Sequence, residues 1–329
     1  MNRRWRRRCI DLAAYLAVRL IICVVQAVPP RLAYHVADAV ARVANACLRR
    51  RRETARDNIR EAFPHLDANP ASVDRLVLNM YRHFARVALE FLLISRKIRR
   101  STLRRYISFP DETAIGALLH SNRPVLVVTA HFGNWELAGV AFGLLGYHTH
   151  AIARVLDNPY LERFFLRLRQ ASGQTIIAKR DDFARLDEVL EQGGNVATLA
   201  DQDAGPRGVF VNFFGRPAST HKAVALLAIK YDAIMVVGSV PRLARSEHSQ
   251  AAGEIPANGL ETMFYSYVLE EVIDPRDYAK LTRAAALKAI TERYTAAFER
   301  FIRKHPEQYF WLHRRWKSQP PLRSSRSAA

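Results

Sequence analysis

Cysteine is nearly absent from this chain: three in 329 residues, Cys9, Cys23 and Cys47, all near the N-terminus. None stands in C-x-x-C spacing or beside a histidine pair, so neither a disulfide framework nor a zinc site is indicated, and a reducing compartment is the default. No H-E-x-x-H or paired-carboxylate motif occurs, and no metal is expected. The G-x-S-x-G elbow that exposes a nucleophilic serine is missing as well. Acidic residues are scarce, 31 Asp and Glu against 50 Lys and Arg, leaving a formal charge of +19. That excess seeks an anionic surface. No RRM, KH, zinc-finger or helix-turn-helix signature is present, which counts against nucleic acid as the partner. The chain also lacks internal repeats and low-complexity linkers.

Hydrophobic residues make up 49% of the sequence and aromatics 10%, so it is not disordered, and 329 residues suffice for one large α/β domain or two small ones. The positive charge is unevenly placed. Residues 1–60 hold fourteen arginines against Asp11, Asp38, Glu53 and Asp57. Arg3, Arg4, Arg6, Arg7 and Arg8 precede a largely apolar stretch, 10–28, that ends at Pro29-Pro30. This is the layout of a cytoplasmic basic cluster beside a membrane segment. Asp11 and Arg19 interrupt the stretch, and an arginine in mid-segment costs about 3 kcal/mol on insertion scales. A shallow or re-entrant helix with snorkelling charges is therefore as good a reading as a full span. Val25 to Ala27 make a poor cleavage site, so the segment is expected to be retained.

Periodicity organises the remainder. Helical patterns run over 32–48, from Arg49 to near Pro64, and over 71–95, where Tyr81, Phe84, Leu89, Phe91 and Leu92 form a core face. From residue 107 strands and helices alternate. Strands are predicted at 124–129, 148–153, 174–177, 195–200 and 233–240, with helices at 135–145, 158–171, 181–192, 220–230 and 280–304. The fold class expected is α/β, a mainly parallel central sheet flanked by helices, with an N-terminal helical membrane-associating region. Residues 1–30 form the basic membrane-associating segment, 31–317 the catalytic domain (helical over 31–106, α/β over 107–317) and 318–329 a frayed tail. Residues 244–260 read as an exposed polar excursion.

The chemistry concentrates at His131-Phe132-Gly133-Asn134-Trp135-Glu136, directly after the apolar run 124–129. A histidine delivered to the carboxyl end of a strand, with a carboxylate five residues on, suits a general base and its orienting partner. On one regular helix such positions diverge by roughly 140°, so the two converge only if the chain bends between them. Gly133 permits the bend, and Asn134 is a good N-cap that would start the helix. A buried histidine at a strand end and a glutamate in a first helical turn are an equally good reading of this motif alone.

The block HFGNWE resembles the H-x-x-x-x-[DE] signature of glycerolipid acyltransferases, in the form used by the late acyltransferases of lipid A biosynthesis. Four more blocks carry the likeness: RRRETARDNIREAFP at 50–64, ARVLDNPYLERFFLRLR at 153–169, ADQDAGPRGVFVNFFGRPAST at 200–220 and FWLHRRWK at 310–317. The resemblance implies O-acyl transfer from a thioester to a hydroxyl of a lipid A precursor or related glycolipid. His131 is then the general base and Glu136 the carboxylate that fixes its tautomer. It places Gly133, Asn134, Arg154, Asp201, Gln202, Arg207 and Gly208 at the substrate. Arg207 would pair with a phosphate, and Asp201 would hold a neighbouring arginine or its own loop. A solvated turn is the alternative for 201–208, and a salt bridge to Asp157 or Glu162 the alternative for Arg154. Trp311, His313, Arg314, Arg315 and Trp316 read equally well as a headgroup contact and as a core-edge aromatic pair.

No cofactor is expected beyond the co-substrate. Acyl carrier protein is preferred over coenzyme A as donor because an acidic carrier suits a basic surface. The partners implied are that donor, a glycolipid acceptor and membrane lipids, without nucleic acid. The location implied is the cytoplasmic side of the bacterial inner membrane. The alternatives are acylation of another glycolipid or lysophospholipid, and a basic lipid- or nucleic-acid-binding protein without catalysis.

Overall fold

A six-stranded sheet runs through the second part of the chain. The computed structural model describes residues 3–66, 68–178, 183–244 and 263–320. Strands β2 (Val125–Thr129), β3 (Thr149–Ala153), β4 (Thr175–Ala178), β5 (Asn195–Leu199) and β8 (Ile234–Ser239) are parallel. The edge strand β10 (Val268–Ile273) is antiparallel to β8, and the order across the sheet is β10-β8-β2-β5-β3-β4. Strand β2 sits between β5 and β8 and is buried on both faces, as an unbroken apolar run requires. Its side chains alternate between two cores: Leu126 and Val128 face one, Val125 and Val127 the other. Helices α8 (Phe183–Glu191), α9 (Ala223–Lys230) and α10 (Arg283–Lys304) cover the first face; α4 (Pro70–Lys97), α5 (Glu112–Leu119) and α6 (Trp135–Leu145) cover the second.

The mainly parallel sheet and flanking helices agree with the sequence expectation, and the five strands read from apolar runs lie within a residue or two of their places. Other elements were not anticipated. β6 (Val209–Phe213) and β7 (Arg216–Thr220) form an antiparallel hairpin directly after the loop assigned to the substrate, in the second half of the 200–220 block. Strand β10 came from an acidic stretch that carries no apolar alternation. Its Glu270 and Glu271 are satisfied only in the fold, by Arg300 and Arg293 of α10. β1 (Ile107–Ser108) pairs with β9 (Tyr265–Ser266). Most of the polar excursion at 244–260, and residues 321–329 of the tail, lie outside the described residues.

Helix α1 (Arg3–Ala27) is long and apolar enough over Trp5–Ala27 to cross a membrane, and it is largely uncovered. It is not detached. Tyr15 lies 6.0 Å from Tyr160 and 6.4 Å from Phe164 on α7 (Pro159–Gln170). The Arg19 guanidinium stands 4.9 Å over the Phe164 ring, a cation–π contact. Asn158 Nδ2 donates to the Asp11 carbonyl at 2.8 Å, and Gln26 Nε2 to the Leu92 carbonyl at 2.9 Å. Helix α2 (Pro30–Cys47) presents Leu32, Val36, Val40 and Val43 outward while Ala33, Tyr34, Ala37 and Ala41 pack against the body. Deletion of residues 1–27 is expected to release much of the protein from membranes and also to lower turnover, because α7, on which α1 rests, walls the cavity beside His131. Sedimentation and activity of the truncated chain check both; full turnover in the soluble fraction would show that α1 is an anchor alone.

Candidate active site

The parallel strands bring their carboxyl ends to one edge, and two loops meet there: 130–135 after β2 and 200–208 after β5. Asp201 is buried, and its carboxylate takes two hydrogen bonds from one residue. The His131 backbone N–H donates to Oδ2 at 3.1 Å, and His131 Nδ1 lies 2.7 Å from Oδ1. Burial by itself would raise the Asp201 pKa, but the imidazole and these hydrogen bonds hold it below the usual carboxylate value. An ionised carboxylate at Nδ1 keeps the proton on that nitrogen and leaves the base chemistry to Nε2. Trp135 and Phe310 flank the imidazole at 5.3 Å and 6.1 Å between ring centroids.

Glu136 does not occupy that place, which corrects the sequence expectation. Its carboxylate takes a two-pronged pair from Arg169 of α7, Nε to Oε2 at 3.0 Å and Nη2 to Oε1 at 2.6 Å. The reason is geometric. Helix α6 begins at Trp135, so Glu136 projects from its first turn toward α7, while the imidazole stays on the preceding turn beside β5. The matching charges of Glu136 and Arg169 then meet across the gap between helices.

Gly133 and Asn134, expected at the substrate, are buried framework residues. Gly133 has φ +59°, and a Cβ there would come within 1.9 Å of the Val240 carbonyl oxygen, so only glycine fits. Its N–H donates to the Gln308 carbonyl at 3.0 Å, and its own carbonyl lies 3.1 Å from His83 Nε2. Burial pushes the His83 pKa down to about 3, so it serves as a neutral donor. Asn134 caps α6, its Oδ1 accepting from the Leu137 N–H at 3.0 Å, while its Nδ2 donates to Glu90 Oε2 at 3.3 Å. Glu90 is wholly buried and also receives Arg242, Tyr34 and Tyr265. Removing the guanidinium with Arg242→Ala strands that carboxylate. A loss of about 3–5 kcal/mol in stability is expected, measurable by denaturant unfolding.

A cavity of about 940 Å³ opens beside His131, between the second face of the sheet and helices α4, α6 and α7. Its wall is mostly apolar: Val127, Ala151, Ala197 and Gly238 from the strands, Phe84, Val87 and Phe91 from α4, Ala138 and Phe142 from α6. Ala151, Ala197 and Gly238 among the strand residues are small and leave room on this face of the sheet. His131, Glu136, Arg154, Arg169 and Gln202 border it. Arg154 stands at the rim, mostly exposed and 3.5 Å from Asp157, the pairing weighed as its alternative. Arg207 is exposed and, like Gly208, lies outside the cavity lining. A Cβ on Gly208 would meet Ser219 Oγ at 2.1 Å, so that glycine serves the packing of its loop on β7. Among the described residues no cluster fit to hold a metal occurs.

In the C-terminal block Trp311, Arg315 and Trp316 are buried core residues, His313 is half-buried and Arg314 is exposed. Arg315 donates to the Ser219 carbonyl and to Thr220 Oγ1, both at 2.6 Å. Residues 308–310 run antiparallel to 131–133, with the Phe310 N–H donating to the His131 carbonyl at 3.0 Å. Arg169, Glu90 and Arg242 were not picked out from the sequence, because nothing local distinguishes a buried pairing arginine or glutamate from a solvated one.

The chain matches the family described as "Bacterial lipid A biosynthesis acyltransferase" over residues 1–318. It is 26% identical over 289 residues to a lipid A biosynthesis palmitoleoyltransferase of Escherichia coli (strain K12), covering 87% of this chain and 85% of the relative. It is 29% identical over 200 residues to a lipid A biosynthesis lauroyltransferase of the same organism, 60% of this chain and 58% of the relative. A phosphatidylinositol mannoside acyltransferase of Mycobacterium tuberculosis (strain ATCC 25618 / H37Rv) is 25% identical over 163 residues, 48% of this chain and 51% of the relative. With the model of that family matched over nearly the whole chain, the protein is an acyltransferase of the bacterial lipid A biosynthesis acyltransferase family.

Proposed function

We propose that this protein is a membrane-associated O-acyltransferase that moves a fatty acyl chain from a thioester to a hydroxyl of a lipid A precursor or related glycolipid, with His131 as general base and Asp201 as its orienting carboxylate. The observation that carries the reading is the 2.7 Å contact between His131 Nδ1 and a buried carboxylate at the mouth of an apolar cavity. The acyl chain lies in the cavity, its carbonyl toward His131. The acceptor hydroxyl gives its proton to Nε2 as its oxygen bonds to the carbonyl carbon. The tetrahedral oxyanion then collapses, the C–S bond breaks, and the thiolate takes the proton back from the imidazolium. Arg169, held in the cavity wall by Glu136, supplies positive charge toward the oxyanion. Among the described residues no serine or cysteine borders the cavity, which supports direct attack by the acceptor over an acyl-enzyme.

Acyl carrier protein is the preferred donor, since an acidic carrier is drawn to a surface with a net charge of +19. The exposed apolar faces of α1 and α2, next to the arginines at 6–8, support attachment to the cytoplasmic face of the bacterial inner membrane. The names of the relatives span lipid A and phosphatidylinositol mannoside acceptors. Mass spectrometry of lipids from cells with and without the active chain tests the reading: one acyl group added to one glycolipid class is expected. Unchanged glycolipids together with an altered phospholipid pool would overturn the acceptor assignment.

A further inference from the structure

We propose that His313 is a positioning residue for this reaction, its neutral imidazole tying the loop that carries Asp201 to the C-terminal segment and so setting Asp201 against His131. The inference rests on the reading of His131 as the base. The tie is the hydrogen bond from the Asp203 backbone N–H to His313 Nε2, at 2.8 Å. A backbone N–H only donates, so Nε2 must be the unprotonated, accepting nitrogen of the ring. The same segment grips the loop elsewhere: the Ser318 N–H and Oγ donate to the Asp203 carboxylate at 3.3 and 3.0 Å. At its other end the segment holds the His131 turn, through the Phe310 N–H to the His131 carbonyl and the Gly133 N–H to the Gln308 carbonyl. Residues 308–318 thus staple together the two loops whose meeting forms the His131–Asp201 contact. His313 is in turn fixed from α3 (Arg49–Ala62), where Asn58 Nδ2 donates to its carbonyl at 2.7 Å.

Protonation of His313 puts an N–H where the Asp203 N–H already points, and the tie breaks. The charged and titratable groups facing the ring are Asp201 and Asp203 on the carboxyl-edge loop, His131 on the β2 loop and Arg315 on its own segment; Arg51 of α3 donates to the neighbouring Leu312 carbonyl. Burial, aided by Arg315 and His131, lowers the His313 pKa from its ordinary value against the opposing pull of Asp201 and Asp203. The tie is accordingly intact at neutral pH and is lost as pH falls through a folded-state pKa below the usual histidine value. Activity therefore needs two neutral histidines, one for chemistry and one for position.

The test compares the acid limb of kcat/KM against pH in the full-length wild type, His313→Gln and His313→Ala. Gln keeps an acceptor near the Nε2 position but does not titrate. The wild type should fall with a limiting log–log slope approaching two, and His313→Gln with a slope of one while recovering most of what His313→Ala loses at neutral pH, about tenfold. In parallel, hydrogen exchange of the 200–205 amides, corrected for intrinsic pH dependence, should quicken in His313→Ala and in acidified wild type but not in acidified His313→Gln. Superimposable profiles for wild type and His313→Gln, or unchanged 200–205 exchange in His313→Ala, would overturn the proposal. The exchange measurement reads the tie whether or not His131 is the base, so loss of the base assignment and loss of this one remain distinguishable.

Discussion

His131→Ala is expected to fold, to keep its membrane attachment and to lose roughly 10²–10⁴-fold in kcat, with little change in KM for the acyl donor. The ring sits on a turn whose shape is set by Gly133, Asn134 and the 308–310 segment, none of which depends on the imidazole. What disappears is the acceptor for the hydroxyl proton. Among the described residues the carboxylates near the cavity mouth are poor substitutes for it: Asp201 is buried behind the ring, and Arg169 already occupies both oxygens of Glu136. Steady-state kinetics on the purified variant, with circular dichroism to confirm folding, decide the matter. Near-wild-type turnover would remove His131 from the mechanism.

Asp201→Asn and Glu136→Gln should separate the two carboxylates, and the contrast is the second large effect. Asparagine at 201 keeps the shape but presents an amide to Nδ1, favouring the wrong tautomer and leaving the imidazolium unstabilised. A fall of about 10²–10⁴-fold is expected in kcat, comparable to loss of the histidine. Glu136→Gln instead frees Arg169 from its partner while leaving His131 and Asp201 in contact. Its loss should be smaller, about tenfold, and should shift toward the binding of the acyl donor as the wall between α6 and α7 loosens. Stability should respond too. The Asp201 pKa is depressed in the folded state, so its contribution is present above the ordinary carboxylate value and is lost as pH falls through the lower folded one. In Asp201→Asn that acid-side loss should shrink. If Glu136→Gln proved the more damaging to kcat, the carboxylate five residues from the histidine would be restored as the orienting group.

The contacts of the two carboxylates show where sequence reasoning reaches its limit. Glu136 lies within the same motif as His131, and sequence proximity made it the natural partner. Asp201 is 70 residues away. It becomes the partner because β2 and β5 are hydrogen-bonded neighbours in register, Thr129 opposite Leu199, so that their succeeding loops emerge side by side. That Asp201 would emerge at the same sheet edge as His131 was legible from its place after a predicted strand; what it touches was not. Gly133 and Asn134 were noticed for their capacity to bend and cap the chain, and those capacities turned out to be their work. Trp311 and Trp316 were ambiguous because an aromatic beside arginines reads alike at a membrane interface and at a core edge, and only their burial separates the two.

The amino-acid sequence by itself determined the features that local chemistry dictates: the buried strands from unbroken apolar runs, the amphipathic helices from their period, the α6 cap from Asn134, the charge-flanked apolar α1, and the family from five ordered blocks. Apart from the family, which rests on the order of the blocks along the chain, each of these is decided by residues within a turn or a strand of one another. The tertiary structure decided the pairings: His131 with Asp201, Glu136 with Arg169, Glu90 with Arg242, and the C-terminal segment across both active-site loops. A carboxylate and a guanidinium carry no address in sequence; which ones meet depends on strand order and helix crossing, and burial then makes those meetings matter by removing the water that would otherwise satisfy each charge.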